Sequence, residues 1–247
     1  MTGLLPLTAR VVVGGVRDRE LFIALLLPVV LYAGFIFVLR DVIDTGGMSY
    51  AQYVLPAVLV QATMVGTVNT LDRAAAEERS GFAFRLATLP IATATPLLAR
   101  MLYCLLRGAL ALLVTVAVAY AFGFRLTGGL WGGVGFVALT LLLTLVLSLA
   151  ADAAGTWRCH SNDAGQFLLL PQLLLVMLST GMAPVSAFPD WAQPFVRHQP
   201  VSRITDALRG LATGDVDTGA VAAGLAWCLP LLVLFGAVAL RLQGRQR

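Results

Sequence analysis

One arginine stands inside a long apolar run. Arg107, in LLRGALALLVTVAVAY, follows Arg100 by seven residues, which sets it about 10 Å further along a helix rising 1.5 Å per residue. A guanidinium at membrane depth either snorkels back to the headgroups or meets an anionic headgroup moving past it. Thr140, Thr144 and Ser148 recur every four residues and lead to Asp152, so they lie near one helix face. Such hydroxyls either bond to their own helix or a neighbour, or line a route for a polar group. The amides of Gln61 and Asn69 are costly in lipid and must point at protein or a cavity. Gln61, Asn69, Arg107, Thr140, Thr144 and Ser148 are therefore the candidate lining of a path. The chemistry open to them is recognition of polar groups rather than bond making.

The segment DRAAAEERSGFAFRLATLPIATATP, residues 72–96, is the most charged part of the chain. Phe82, Leu86 and Leu89 fall at i, i+4 and i+7, so a short helix after Gly81 would carry them on one face, with Arg79 and Arg85 available to a partner. The segment reads either as a docking helix for a soluble subunit or as a solvated loop that caps two spans. Residues Glu77, Glu78, Arg79, Phe82, Arg85 and Leu86 are its candidate contact set.

Several chemistries are disfavoured. All 17 basic residues are arginine, and a phosphate-gripping P-loop needs a lysine, so no ordinary Walker ATPase site is present. The sequence holds no HExxH and no GxSxG elbow. His160 and His198 fall on opposite sides of the expected topology, so no metal site is expected. No acid sits near a span centre, which weakens a proton relay. Cys104, Cys159 and Cys228 lie at three depths and do not form a disulfide framework. No catalytic residue, bound cofactor or nucleic-acid partner is expected.

The elements that position these residues are membrane helices. Of 247 residues, 59% are hydrophobic and 12% charged, about half the charge of a soluble domain. Runs long enough to cross a hydrocarbon core occur at about 21–39, 52–71, 98–122, 130–151, 166–186 and 219–240. The expected fold is an all-α integral membrane bundle of six spans forming a single transmembrane domain over residues 1–247. With the N-terminus inside, inner segments hold eleven arginines and outer segments five, so both termini are expected in the cytoplasm. The first twenty residues lack the order of a cleavable signal peptide, so the first span is expected to be retained.

Local signals refine this plan. Residues 7–20 mix Leu7 and Val11 to Val13 with Arg10, Arg17 and Arg19, as in a helix on the inner surface, with an unstructured basic tail the alternative. Pro28 and Pro171 are expected to kink their spans. Gly128, Gly129, Gly132, Gly133 and Gly135 permit close helix approach and read as packing. In the loop after the fifth span, Pro184, Pro189, Pro194 and Pro200 forbid a long helix, and Phe188, Trp191 and Phe195 suit a membrane interface. After Ser202 as N-cap, Ile204, Ala207, Leu208 and Leu211 form one face and Arg203, Asp206 and Arg209 the other, ending near Gly214. A short amphipathic helix at the outer surface is expected.

These motifs carry a resemblance. EERSGF at 77–82, LATLP at 86–90, PLLARML at 96–102 and STGMAPVSAFPDWAQPFVRHQPVSRITDALRGL at 179–211 resemble the permease subunits of type-2 ATP-binding-cassette exporters. AYAFGFR at 119–125 and the pattern of Pro189, Trp191, Gln193, Pro194, Phe195, Gln199, Pro200 and Ser202 resemble the actinobacterial daunorubicin-resistance branch, which exports drugs and long-chain lipids. The likeness implies that 77–90 is a coupling helix resting on a separate ATPase. It implies that 184–214 is a re-entrant extracellular element, with Phe188, Pro189, Trp191, Gln193, Pro194, Phe195 and Arg209 as its marked residues. It also implies two ATPase copies carrying ATP and Mg, a second permease, identical or paralogous, and a bacterial plasma-membrane location. The expected cargo is a lipid or hydrophobic small molecule. A permease for a lipid-linked polysaccharide and a membrane-embedded enzyme or scaffold are the alternatives weighed.

Overall fold

The computed structural model describes residues 4–17, 19–42, 48–81, 94–157, 164–215 and 217–244. The described residues form helices α1 (Leu4–Arg17), α2 (Glu20–Leu39), α3 (Tyr50–Arg79), α4 (Thr95–Ala121), α5 (Gly129–Trp157), α6 (Ala164–Met177), α7 (Gln193–His198), α8 (Pro200–Thr213) and α9 (Thr218–Gly244). A single 3₁₀ turn, Val185–Ala187, precedes α7. No strand occurs among the described residues.

The central post is α3. Its first turn is capped by Ser49, whose hydroxyl accepts from Gln52 N at 3.3 Å, and the Ser-x-x-Gln spacing is that of a capping box. Of its most apolar stretch 67% is buried, against 17% for α2 and 11% for α9. Val54, Leu55 and Val58 of α3 lie in one core with Tyr32 of α2, Leu143 and Val146 of α5 and Leu208 of α8. The Tyr32 hydroxyl ties α2 to α3 by donating to Ala51 O at 2.9 Å. By contrast Phe22, Phe37, Trp227 and Val233 of α2 and α9 are exposed. An apolar belt of that size is a liability in water and a proper surface in lipid.

Among the described residues five helices, α2, α3, α4, α5 and α9, are long and apolar enough to cross a membrane. They coincide with five of the expected spans. The expected span at 166–186 is instead interrupted: α6 has 14 residues, about 21 Å at 1.5 Å per residue against a core of about 30 Å. Beyond it the backbone groups find partners off the helix axis. Thr180 N donates to the Ser202 hydroxyl at 3.1 Å, Thr180 O accepts from the Tyr53 hydroxyl at 2.6 Å, and Leu178 O accepts from the Gln199 amide.

That same knot corrects the expected start of α8. The helix begins at Pro200 with Gln199 in the N-cap position. Ser202 is fully buried and bonds to Thr180 instead of capping. Its apolar face is as expected, with Ile204, Ala207, Leu208 and Leu211 buried, and Gly214 closes the helix at φ 87°. The α8 helix packs on α3, α5 and α9. The glycines at the start of α5 receive it: Thr127 N and Gly128 N donate to Ala212 O at 2.9 and 3.1 Å. A Cβ on Gly132 would stand 2.5 Å from Leu211 O, so no larger residue fits that approach.

The N-terminus is helical over Leu4–Arg17. Helix α1 packs on α4 and α2, with Gly15 pressed on the Tyr103 ring. Pro28 and Pro171 lie inside α2 and α6.

Candidate functional site

A narrow cleft opens between α2, α3, α4 and α5. Its walls include Ile23, Leu27 and Pro28 of α2, Leu59 and Val65 of α3, and Ala111 and Leu112 of α4. Four of the six expected path residues reach it: Asn69, Arg107, Thr140 and Thr144. Gln61 and Ser148 do not line it; Ser148 is buried, and the Gln61 side-chain oxygen is buried without a hydrogen-bond partner among the described residues. Thr140 donates to Phe136 O at 2.8 Å and Thr144 to Thr140 O at 2.9 Å. Their hydrogens are thus spent on their own helix while the side chains still border the cleft. The open space is about 40 Å³, enough for a water or two, whereas pockets for drug-sized molecules run from about 300 Å³.

Arg107 is the floor of the cleft, and it does not snorkel. It is 4% exposed, and its Nη1 donates to the Glu20 carboxylate at the first turn of α2. Nη2 donates to Gly66 O at 2.8 Å. A Cβ at position 66 would stand 2.7 Å from that nitrogen, so the glycine leaves the guanidinium its seat. Arg73 of α3 donates to the other Glu20 oxygen at 3.0 Å. The Tyr103 ring faces both cations, its centroid 5.0 Å from the Arg73 guanidinium carbon and 5.8 Å from that of Arg107, a cation–π arrangement worth most when desolvated.

A second ionic group adjoins the first. Arg100 bridges Glu77 at 2.9 Å and Asp152 at 2.6 Å. Glu20, Arg73, Glu77, Arg100, Tyr103 and Arg107 line one small chamber. The Glu20 group carries formal charge +1, with two arginines on one carboxylate, and the Arg100 group −1, with two carboxylates on one arginine. Together they are neutral, which lets six charges sit at the end of a bundle in a low dielectric. Helices α2, α3, α4 and α5 are thereby tied at one end.

The other expected sites separate. Glu77, Glu78 and Arg79 form the last turn of α3, and Glu77 is engaged by Arg100. Phe82, Arg85 and Leu86 lie outside the described residues, as do Cys159 and His160. At the opposite end of the bundle Trp191 is 83% exposed and Phe195 54%. The Gln193 amide closes the 3₁₀ turn onto α7 by donating to Phe188 O at 3.2 Å and Asp190 at 3.1 Å. Pro189 and Pro194 are exposed beside them. Arg209 does not face solvent: its guanidinium stacks 3.8 Å from the Tyr53 ring centroid and donates to Asp206 at 2.9 Å and Thr180 O at 3.1 Å.

Sequence reading missed Glu20 and Arg73. The available signal was a lone acid at the start of an apolar span, since an intramembrane arginine calls for a named partner.

A family model described as ABC-2 family transporter protein matches residues 39–241, most of the chain. The chain belongs to the ABC-2 transporter family. This member is 33% identical over 176 residues to the doxorubicin resistance ABC transporter permease protein DrrB of Mycobacterium tuberculosis, covering 71% of this chain and 60% of that protein. It is 26% identical over 181 residues to the probable doxorubicin resistance permease DrrC of the same species, covering 73% of this chain and 65% of that one. A daunorubicin resistance permease of Streptomyces coeruleorubidus is 26% identical over 225 residues, 90% of this chain and 79% of that protein. The chain thus spans about three fifths of the length of the mycobacterial DrrB it resembles. The family match begins at the last residue of α2, so Arg73, Arg100 and Arg107 fall within it and Glu20 outside.

Proposed function

We propose that this ABC-2 family chain is the permease subunit of an ATP-driven exporter that moves an amphipathic drug or lipid out of a bacterial plasma membrane. The observation that carries the reading is the cleft itself. It is an apolar slot walled by four membrane-length helices and lined also by a few polar groups, and it lies in a chain without any lysine to grip a nucleotide phosphate. The similarity to three drug-resistance permeases supports the same reading.

In this scheme both termini are cytoplasmic, because that orientation puts the greater share of arginines inside. The α6 helix and the turns after it make the sixth crossing, and residues 184–214 form a re-entrant element at the outer face. Segment 77–90 rests on an ABC ATPase present in two copies, each holding ATP and Mg, and a second permease completes the pump. Because Glu77 is paired with Arg100, and Arg100 with Asp152 of α5, a push on the segment reaches the helix that bears Thr140 and Thr144. The engine belongs to the partner and the route to this chain.

The test is copurification followed by cross-linking. A photo-reactive residue at position 82 or 85 should capture a nucleotide-binding subunit recovered in stoichiometric amount. Recovery of the chain in intact membranes without any such subunit, and no cross-link from either position, would overturn the assignment.

A further inference from the structure

We infer that the Glu20 end of the cleft is a binding site for the anionic head of an amphiphile, a phosphate or carboxylate carried on an apolar body, and that Glu20 holds the site when no ligand is there. The inference rests on the reading of the cleft as the cargo path and names the class of cargo.

Arg107 belongs to two spaces at once. It borders the apolar cleft and the ionic chamber, so a group arriving through the cleft meets this guanidinium first. Its Nη2 is fixed on Gly66 O, which leaves Nη1 aimed at Glu20. Two guanidiniums share that one carboxylate, an arrangement that fits a tetrahedral or planar oxyanion.

Helix α2 carries both the carboxylate and one wall of the cleft. Ile23, Ala24 and Leu27 follow Glu20 at +3, +4 and +7 and line the cleft, one face of one helix. The buried residues of α2 are Pro28, Tyr32 and Ile36, so its core anchorage lies from Pro28 onward. Residues 20–27 carry no fully buried side chain and are held inward by the Glu20 ion pairs and by the packing of α1, and a proline at the boundary is where a helix bends with least resistance. Swinging this turn outward widens the cleft toward the lipid and withdraws Glu20 in the same motion. Arg107 is then buried without its anion, a state that costs too much to persist. An anionic head repays that cost by taking the vacated place. A neutral head leaves the guanidinium unpaired, and a cationic head faces two like charges.

The experiment measures binding of radiolabelled dodecyl phosphate to the full chain in phosphatidylcholine nanodiscs, with empty discs subtracted, against dodecanol, dodecyltrimethylammonium and inorganic phosphate as competitors. Dodecyl phosphate should bind at least about tenfold tighter than either other dodecyl compound, the factor expected of one charge-assisted hydrogen bond. Inorganic phosphate should fail to displace it at matched concentration. Glu20→Gln should tighten binding, Arg107→Gln should erase the headgroup preference, and Arg107→Lys should keep part of it. Should Arg107→Gln fail to insert, Glu20→Gln and Arg107→Lys decide. Equal binding of all heads, an intact preference in Arg107→Gln, no tightening in Glu20→Gln, or displacement by inorganic phosphate as strong as by dodecyl phosphate overturns the inference. No ATPase is needed. Headgroup-blind binding in a working exporter defeats this inference alone, whereas selective binding in a chain that never exports defeats the exporter reading alone.

Discussion

Replacing Arg100 by alanine should destabilise the bundle more than any other single change at the ionic end. The Arg100 side chain is 11% exposed and Asp152 1%, and the two are joined by Nε to Oδ1 at 2.6 Å and Nη2 to Oδ2 at 3.0 Å. Removing the guanidinium leaves the Asp152 carboxylate buried without its cation, which costs about 3–5 kcal/mol. The pair itself adds far less than that, because both ions were desolvated to make it. The double variant Arg100→Leu/Asp152→Leu should therefore return to within about 1.5 kcal/mol of the parent, while Glu77, 25% exposed, turns to water. Equilibrium unfolding by SDS in mixed micelles, followed through tryptophan fluorescence, reads all three proteins. A single variant within about 0.5 kcal/mol of the parent, or a double variant worse than Arg100→Ala, would refute the claim that Asp152 is a buried charge held by Arg100.

Three further outcomes follow from the same geometry. Gly132→Val puts a Cβ 2.5 Å from Leu211 O and should cost about 1–3 kcal/mol, with α8 becoming open to proteolysis. Arg209→Ala loses the stack on Tyr53 and the bonds to Asp206 and Thr180 O, and a cysteine introduced at position 212, buried in the parent, should then label with a water-soluble maleimide. Glu78→Arg or Arg85→Glu should abolish ATP-stimulated export while the chain still inserts, as measured by uptake of a fluorescent amphiphile into inverted vesicles.

Five of the six expected membrane helices were legible because length and apolarity decide them one segment at a time. The same holds for α8, whose face at 204, 207, 208 and 211 is a period within fourteen residues, and for the glycines that admit it. What stayed hidden depends on distant partners. Nothing in the local pattern around Arg107 points 87 residues back to Glu20, and nothing in the apolar run after Ala164 shows that Ser202 and Tyr53 will draw Thr180 off the helix axis. The Ser49 to Gln52 cap is a four-residue motif that the sequence reading passed over. Thr140 and Thr144 show why two readings of one pattern stayed open: their hydroxyls bond backward along α5 and their side chains still border the cleft.

The central claim is a route without an engine, and reconstitution addresses it directly. Proteoliposomes holding this chain alone should neither hydrolyse ATP nor accumulate a fluorescent amphiphile, and adding the ABC subunit that copurifies with it should start both together. ATP hydrolysis or concentrative transport by the chain alone would contradict the account.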